Sequence, residues 1–412
     1  MFKRIPGTKD ILPQESSSWQ TVEATARKIF SFYNYQEIRT PVIEDASLFN
    51  RTLGATTEIV QKQMFLIHNQ QDTYVLRPEG TASVIRSYLE NNLEKTCGFT
   101  KLYYIGPMFR LERPQKGRLR QFHHIGAEAI GSGSASLDVE VISLAEQLLK
   151  SFGIAGYKIK LNSLGCPKDK QILSASLRKN LKEKLTRLCA DCQQRAKNNV
   201  LRILDCKNED CQKIVKTLGA ELNHLCPDCR KHFEEVKNGL TDLGIPFQID
   251  PHLVRGLDYY NRTVFEIIHS SLGSQDAIGA GGRYNNLVQE LGGPELGAIG
   301  FAFGVERLLL VPNTLNQNLP KKLAYLITLG EAAKSAGLRI LDKLRSSQIP
   351  ADMDYLNKSL KGAMRSANDA GATWVLILGD DELKKNSISV KDMAKGTQKE
   401  IALQNLTEEL QC

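Results

Sequence analysis

The chain has 412 residues, which is enough for two or three domains that each bury a core of their own. Its 54 Lys and Arg against 46 Asp and Glu leave a formal net charge of +8, which permits a polyanionic partner without requiring one. A hydrophobic content of 42% and the lack of a long apolar run are typical of a globular protein and predict that no segment crosses a membrane.

The N-terminal part predicts a long helix followed by a strand. Ser17 and Gln20 form a capping-box pattern ahead of apolar residues spaced by three and four positions, which predicts one buried helix face. A strand is expected over 36–39. Pro41 follows it, and because proline cannot donate to a strand ladder, we expect an edge or an interface at this position.

The motif RPEGT joins a predicted strand over 73–76 to a predicted helix over 82–89. Glu79 and Thr81 therefore lie at a helix start, where an acid and a hydroxyl commonly cap the free backbone N–H groups. The same side chains could instead point into a pocket. The pattern of residues leaves both interpretations open.

A basic loop is the most distinctive feature of the first half of the chain. Two apolar, aromatic-rich runs over 101–109 and 121–130 flank residues 110–120, whose charges are nearly all positive. This pattern predicts an antiparallel hairpin with a loop that faces phosphate, in a nucleotide or a nucleic acid. The alternative is a solvated turn with scattered charge.

A change of composition indicates an inserted helical domain. A helix over 137–152 and a strand over 157–162 are predicted first. From Cys166 to about Gly244, Lys, Arg, Asn and Cys then become frequent, and aromatic residues almost vanish.

The insertion carries two C-x-x-C pairs, at Cys189 and Cys192 and at Cys226 and Cys229, with two further cysteines between the pairs. Thiolates at this spacing predict a tetrahedral zinc site made by these four cysteines. The gap of 33 residues between the pairs is longer than in a compact zinc ribbon, and the alternative is a set of free thiols. Because the N-terminal segment MFKRIPGTKDILPQ lacks the apolar region of a secretory signal, we expect reduced cysteines and a cytoplasmic protein.

The segment RGLDYY, residues 255–260, lies between two stretches with strand-like alternation. Arg255, Asp258, Tyr259 and Tyr260 therefore meet at one turn. Such a cluster could be a structural ion pair with aromatic packing. It also suits recognition of a small zwitterion that has a polar ring.

A strand that runs into a helix is predicted over 297–311, with Gly304 at the junction. Arg307 then lies in the first helical turn, where a cation opposes the helix dipole unless an anion meets it. The alternative is a salt bridge to a nearby acid. Beyond this point, residues 323–390 alternate strands and helices, which predicts a small α/β domain with a largely parallel sheet.

Taken in order, three of these motifs resemble the signature motifs of class II aminoacyl-tRNA synthetases. They are the proline after a long helix, the strand with FRLE and its returning strand, and the strand-to-helix segment with GVER. Within that class, RPEGT (77–81), RPQKGRLRQFHHIGAE (113–128), RGLDYY (255–260) and GGRY (281–284) resemble the histidyl-tRNA synthetase family. The resemblance extends over essentially the whole chain.

The resemblance implies an α+β catalytic domain with a mainly antiparallel sheet flanked by helices, made by residues 1–165 and 245–315. It further implies that 166–244 are a helical, Cys-containing insertion and that 322–412 are an α/β domain similar to anticodon-binding domains. The expected assembly is a homodimer, and the expected partners are tRNA-His, L-histidine and ATP.

The implied reaction is ATP-dependent ligation of L-histidine to tRNA-His through a histidyl-adenylate, with release of AMP and pyrophosphate and with Mg²⁺ carried by ATP. The histidine carboxylate is already ionised, so this chemistry needs positioning and charge neutralisation and no protein base. By resemblance, Arg110 and Arg255 would hold the carboxylate and the α-phosphate, and Arg307 the γ-phosphate. Glu112 and Phe122 would meet the adenine.

The resemblance also assigns the contacts to the bound amino acid. The residues implied are Glu79, Gly80, Thr81, Arg110, His124, Glu128, Arg255, Tyr259, Tyr260 and Tyr284. His124 departs from the family, which usually has Gln there, and we expect its charge to vary near neutral pH. Gln115 is the residue expected to meet the acceptor end of the tRNA.

Two other classes of function remain open on the sequence. One is the regulatory, non-synthetase paralogue that partners ATP phosphoribosyltransferase, which shares the catalytic-domain fold. Arg110, Glu112, RGLDYY, Arg307 and the complete tail argue against it. The other is a nucleic-acid-binding module without catalysis, which the basic hairpin alone would suggest.

Overall fold

The computed structural model describes residues 2–54, 57–218, 222–273, 275–314 and 322–411. Its contacts divide the chain into two units, Met1–Asn316 and Gln317–Cys412. Within the described part of the chain, none of the helices has the length and apolarity that a membrane span requires.

The first unit contains eleven strands among its described residues. They are β1 (Gln36–Glu37), β2 (Ile43–Asp45), β3 (Phe65–His68), β4 (Thr73–Leu76), β5 (Thr100–Phe109), β6 (Gln121–Ile130), β7 (Lys158–Ser163), β8 (Gln248–Ile249), β9 (Asn261–Ile268), β10 (Ala277–Arg283) and β11 (Ala298–Gly304). Eight of them form one sheet in the order β1-β5-β6-β11-β10-β9-β7-β8, in which only the two outermost pairs are parallel. The three others form a small antiparallel sheet in the order β2-β4-β3. The mainly antiparallel sheet that was predicted is confirmed.

The helices of this unit flank the large sheet and build the insertion. They are α1 (Pro13–Phe32), α2 (Ala46–Leu53), α3 (Thr81–Glu90), α4 (Leu93–Thr96), α5 (Ala135–Ser151), α6 (Pro167–Leu181), α7 (Ala190–Asn198), α8 (Glu209–Lys216), α9 (Pro227–Asp242), α10 (Leu287–Glu290) and α11 (Val305–Leu310). A π-helical turn covers Ile59–Gln63, and 3-10 turns cover Leu185–Arg187, Val200–Ile203, Leu222–His224 and Ser270–Leu272.

The central hairpin agrees closely with the sequence prediction. β5 and β6 pair antiparallel along their whole length, from Thr100 opposite Ile130 to Phe109 opposite Gln121. Strand side chains alternate between the two faces of a sheet. Ile125, Ala127 and Ala129 of β6 accordingly join one core cluster with residues of α1 and α5. The intervening side chains of β6, which include His124 and Glu128, face the opposite side of the sheet.

The predicted start of the first helix is wrong. The helix begins at Pro13, one turn before Ser17, and its N-cap is Leu12, which makes no side-chain capping bond. Proline suits the first helical position because its fixed φ is already helical and its missing N–H would have no partner there. Pro13 is therefore the boundary signal in this segment.

The C-terminal unit is an α/β fold with a mixed sheet. Its elements are β12 (Ala324–Thr328), α12 (Glu331–Ser346), β13 (Ala351–Met353), α13 (Leu360–Asp369), β14 (Trp374–Leu378), α14 (Asp380–Lys385), β15 (Ser387–Asp392), β16 (Gln398–Ala402), a 3-10 turn (Leu403–Asn405) and α15 (Leu406–Gln411). β13, β12 and β14 are parallel, whereas β15 and β16 are antiparallel additions, so the sheet is less parallel than expected. The strand β16 was not predicted, because its sequence QKEIA is mostly polar and lies at an exposed edge.

Candidate active site

A cavity of about 230 Å³ lies beside β5, β6, β10 and β11. Its walls also come from the RPEGT turn, the RGLDYY segment and the start of α11. The predicted site residues that line it are Glu79, Thr81, Arg110, Glu112, Phe122, His124, Arg255, Tyr259, Tyr260 and Arg307. Residues far apart in the sequence thus converge on one cavity, since the large sheet brings their strands together.

Glu128 lies behind the cavity wall in a cluster of hydroxyl groups. Its Oε1 accepts hydrogen bonds from the Thr81 hydroxyl at 2.7 Å and the Tyr104 hydroxyl at 3.3 Å. Its Oε2 accepts from the Tyr284 hydroxyl at 2.5 Å. Burial raises the pKa of Glu128 to about 8, although the bonds from Tyr284 and Thr81 act in the opposite direction. The carboxyl is thereby fixed by three donors beside the cavity.

Glu79 has both of the functions that the sequence left open. Its Oε2 accepts from the backbone N–H of Thr81 at 2.6 Å and its Oε1 from that of Ala82 at 2.8 Å, so it caps the start of α3. The same side chain lines the cavity. Burial raises the pKa of this carboxyl, and the backbone N–H bonds lower it.

Tyr104 is a cavity residue that the sequence reasoning missed. It lines the cavity, and its ring occupies the space where side chains would stand at two neighbouring glycines. A Cβ atom at either Gly80 or Gly126 would lie 2.4 Å from that ring. Gly126 stands in the middle of β6, and a glycine inside a strand often marks such a close approach. Gly126 was the signal available in the sequence that a ring packs closely against this strand. Tyr104 itself gave no such signal, because an aromatic residue in a strand usually belongs to a hydrophobic core.

Arg110 and Arg255 both reach the cavity from half-buried positions. Arg110 Nε donates to the carbonyl of Pro78 at 2.9 Å, and its guanidinium lies 5.4 Å from the centre of the Phe122 ring. Arg255 Nη1 forms an ion pair with Glu266 at 2.5 Å. The structural ion pair considered from the sequence is therefore present, but Arg255 also lines the cavity.

Arg307 is bound by main-chain oxygens. Its Nε donates to the carbonyl of Gly117 at 2.8 Å and its Nη1 to that of Ala277 at 2.6 Å. Among the residues that the structure describes, no acid forms an ion pair with it, so the salt bridge considered from the sequence is absent there. Glu306, which the sequence reasoning left without a function, accepts from the backbone N–H of His123 at 3.0 Å and fixes α11 to β6. Arg307 thus lacks an ion pair among the described residues, and although Glu112 and Glu266 offset part of its charge, an anion beside it would be favoured.

His124 is half-buried in the cavity wall. Burial lowers its pKa to about 3, and the positive charges of Arg110 and Arg307 act in the same direction. This finding corrects the expectation that its charge varies near neutral pH. Its Nδ1 has no hydrogen-bond partner, and its ring lies 5.1 Å from that of Phe122. A buried ring nitrogen without a partner is a group that a ligand could satisfy.

The RGLDYY segment brings three tyrosines together. The ring centres of Tyr259 and Tyr260 are 4.6 Å apart, and those of Tyr259 and Tyr284 are 5.7 Å apart. Lys170 of α6 donates to the carbonyls of Asp258 at 3.0 Å and Tyr260 at 2.9 Å. The main chain of this segment is therefore held from outside the cavity by the insertion.

Gln115 does not join the cavity. It lies exposed in the hairpin loop, where its backbone N–H and carbonyl exchange bonds of 3.0 and 2.9 Å with Arg118. Glu112 lines the cavity and forms an ion pair with Arg118. The loop is thus closed on itself and presents Gln115 to the solvent.

The predicted zinc site is wrong in its set of ligands. The structure separates the two C-x-x-C pairs into different clusters, in each of which four potential ligand atoms lie within 4.8 Å of one another. We call Cys189, Cys192, Cys206 and Cys211 the four-cysteine cluster, and Cys166, Asp169, Cys226 and Cys229 the Cys-Asp cluster. Spacing along the chain could not show which cysteines meet, because helix packing decides it.

Comparisons with known proteins cover the whole chain. The model of a family described as histidyl-tRNA synthetase matches residues 7–308, and that of an anticodon binding domain matches 324–412. The histidine–tRNA ligase of Halothermothrix orenii is 48% identical over 409 residues, which cover 98% of each chain. That of Natranaerobius thermophilus is 44% identical over 416 residues, covering 100% of this chain and 99% of the relative. The crystal structure of apo histidyl-tRNA synthetase from S. aureus has a TM-score of 0.82 at 36% identity and covers 100% of both chains.

Proposed function

Since the chain belongs to the histidyl-tRNA synthetase family, we propose that it ligates L-histidine to tRNA-His in two steps within the cavity. An oxygen of the histidine carboxylate first bonds to the α-phosphorus of ATP, and the bond to the β-phosphate breaks, so pyrophosphate leaves. A ribose hydroxyl at the end of the tRNA then attacks the carbonyl carbon, and AMP leaves. The single observation that carries this assignment is the convergence of three arginines and a buried polar cluster on one cavity.

The arginines are assigned to the phosphates. Arg110 and Arg255 hold the α-phosphate and the carboxylate, Arg307 holds the γ-phosphate, and Glu112 and Phe122 contact the adenine. Mg²⁺ enters with ATP as part of the substrate. The support is that Arg110 and Arg307 are bonded to neutral carbonyls, which leaves their positive charge for an anion.

The polar cluster is assigned to histidine. Its members are Glu79, Gly80, Thr81, His124, Glu128, Tyr259, Tyr260 and Tyr284, with Arg110 and Arg255 at the carboxylate. A site that satisfies both ring nitrogens of histidine discriminates against an apolar analogue, because its own buried groups would then lose their partners. This accounts for selection of histidine without an editing domain.

The remaining parts of the proposal concern partners and organisation. Gln115 is assigned to the acceptor end of the tRNA, and residues 322–412 to the anticodon, which the match to an anticodon binding domain supports. Residues 1–165 and 245–315 form the catalytic core and 166–244 the insertion.

We further propose a homodimer and a cytoplasmic location. Two exposed apolar side chains on one face of the small sheet, Ile43 and Ile67, support contact with a second copy.

Exchange of pyrophosphate into ATP, measured with each amino acid in turn, tests this function. We expect exchange with histidine and none with the other amino acids, because only histidine satisfies the polar cluster. A chain that binds tRNA but exchanges no pyrophosphate with any amino acid would be a binding module or a regulatory paralogue. Exchange that depends on a different amino acid would overturn the assigned specificity.

Replacement of His124 by glutamine should leave the pH dependence of histidine activation unchanged. Because the folded-state pKa of His124 is about 3, its ring is already neutral well below the pH at which a free histidine titrates. The measurement is kcat/KM for histidine in the exchange reaction, in both proteins, between about pH 5.5 and 8. A ratio of the two values that changes as a single titration near about pH 6.5 would contradict a neutral His124.

A further inference from the structure

The four-cysteine cluster has the dimensions of a metal site. Cys189 is the N-cap of α7, and Cys192 lies one turn into the same helix. Cys211 occupies the corresponding position in α8, and the Sγ atoms of Cys189 and Cys206 are 3.9 Å apart. Zinc bound by four thiolates at about 2.3 Å requires sulfur atoms about 3.8 Å apart. The observed separation is therefore close to one edge of such a tetrahedron.

The Cys-Asp cluster is built from two helix starts of the same design. Cys166 is the N-cap of α6 and Cys226 the N-cap of α9, and each is followed by proline at the first helical position. Asp169 and Cys229 stand three residues further on, so a C-x-x-D pair faces a C-x-x-C pair. Asp169 accepts from the backbone N–H groups of Cys166 at 3.2 Å and Cys226 at 3.1 Å. These bonds fix the carboxylate between the two helix starts.

We infer that the insertion binds two structural zinc ions, one in each cluster. Thiolate sulfur selects zinc among the abundant divalent ions, and a carboxylate oxygen is an acceptable fourth ligand. The eight cysteines within the described residues are all unpaired thiols, so no disulfide there competes for these sulfur atoms. Both sets offer four ligands, which closes the coordination sphere and is typical of a structural rather than a catalytic ion.

The short helices of the insertion give such ions a function. Residues 166–232 contain no Phe, Tyr or Trp, and α7 and α8 have only nine and eight residues. Helices of this length are marginal unless tertiary contacts hold them. Metal binding free energy becomes folding free energy when the site forms only in the folded chain. The two ions would thus add to the stability that the aliphatic core of the insertion provides.

The two ions would also affect the histidine pocket, because the helices that they hold in place contact the RGLDYY segment. Asn199 follows α7 and donates from its side chain to Asp258 Oδ1 at 2.9 Å. Arg202 donates to the carbonyl of Gly256 at 2.9 Å. Lys170, one residue beyond Asp169, donates to the carbonyl of Tyr260 at 2.9 Å. Both zinc sites therefore position the main chain of RGLDYY, and this consequence rests on the proposed function.

Metal analysis of the full-length, untagged protein tests the inference directly. We expect about two zinc ions per chain by mass spectrometry of the digested protein. Cys192→Ala should remove about one ion and Cys229→Ala about one, whereas Cys97→Ala, at an exposed cysteine outside both clusters, should remove none. Asp169→Asn should weaken the second site, and the exposed Asp228→Asn should leave it intact.

Two further measurements keep the inference open to refutation if a variant fails to fold. Cobalt exchanged into the wild-type protein should give the intense visible absorption of tetrahedral cobalt thiolate. Removal of zinc by a chelator should raise the KM for histidine by about tenfold or more, with a smaller effect on the KM for ATP. Wild-type protein with less than about 0.2 zinc per chain would overturn the inference, as would zinc bound in full by Cys192→Ala and Cys229→Ala. Metal content does not depend on catalysis. The zinc inference can therefore fail while the proposed function holds, and the proposed function can fail while the zinc inference holds.

Discussion

Replacement of Arg255 by alanine should abolish histidine-dependent exchange of pyrophosphate into ATP while the chain stays folded. Arg255 is the cation of RGLDYY, and its guanidinium is held at the cavity by Glu266. Charge accumulates on the α-phosphate in the transition state, and a fixed cation there lowers the barrier with little reorganisation. Loss of it should reduce kcat by about 10³-fold or more, which corresponds to about 4 kcal/mol.

A matched variant separates this catalytic effect from loss of an ion pair. Arg86 pairs with both Glu44 and Glu90 at 2.6 Å and is 27% exposed, close to the 21% of Arg255, but it does not line the cavity. Arg86→Ala should therefore cost at least as much stability and leave exchange nearly unchanged. Thermal unfolding checks that both variants are folded. Near-normal exchange by a folded Arg255→Ala protein would remove Arg255 from the assigned catalytic group.

Replacement of Glu128 by glutamine should reduce kcat/KM for histidine by about 10² to 10³-fold and leave the KM for ATP within about twofold. The carboxyl accepts from the hydroxyls of Thr81, Tyr104 and Tyr284 through its two oxygens, and the amide nitrogen of glutamine cannot accept from the hydroxyl that it would face. That hydroxyl must reorient or lose its acceptor, which disturbs the cluster beside bound histidine. Steady-state exchange with each substrate varied in turn measures the two effects separately.

The pH dependence of stability gives this variant a second readout. The pKa of Glu128 is about 8 in the folded protein and about 4.3 in an unfolded chain. Between these values the folded state keeps a proton that the unfolded state has released, so this group destabilises the wild type progressively as pH rises through that window. Glutamine does not titrate. The stability of Glu128→Gln relative to wild type should therefore increase from about pH 5 to about pH 8.

Glu146→Gln is the matched control for a buried carboxyl that accepts from a tyrosine. Glu146 is 5% exposed and accepts from the Tyr157 hydroxyl at 3.1 Å, on a helix that does not line the cavity. We expect it to leave both KM values unchanged. Equal losses in Glu128→Gln and Glu146→Gln would indicate general structural damage and would contradict a specific contact with histidine.

Local sequence patterns were sufficient to predict much of the fold. The strands of the central hairpin were predicted to within one residue because both have apolar runs that end at a dense basic loop. The strand before RPEGT was predicted with the bounds that it has, Thr73–Leu76. Errors arose where the deciding contact was distant or weak. The edge strand Gln398–Ala402 owes its existence to backbone pairing with β15, which its polar sequence does not reveal.

RPEGT and RGLDYY, which the family resemblance assigned to the site, do supply residues to one cavity, although their chemistry alone had left a structural alternative open. The sequence was insufficient where tertiary packing decides which residues meet. Tyr104 became a partner of Glu128 only because β5 lies beside β6 and Gly126 leaves space for the ring. The neutrality of His124 follows from burial among cations that are far away in the sequence. The pairing of the cysteines likewise depends on which helix starts meet.

Arg307 connects the hairpin loop to the proposed site of the γ-phosphate. In the structure its N–H groups are engaged by the carbonyl of Gly117 in the loop and by that of Ala277 at the start of β10. A phosphate oxygen is a stronger acceptor for the same groups and cannot share them with those carbonyls in full. An ATP phosphate bound at Arg307, as proposed, would therefore compete with the carbonyl of Gly117 and loosen the contact between Arg307 and the hairpin loop.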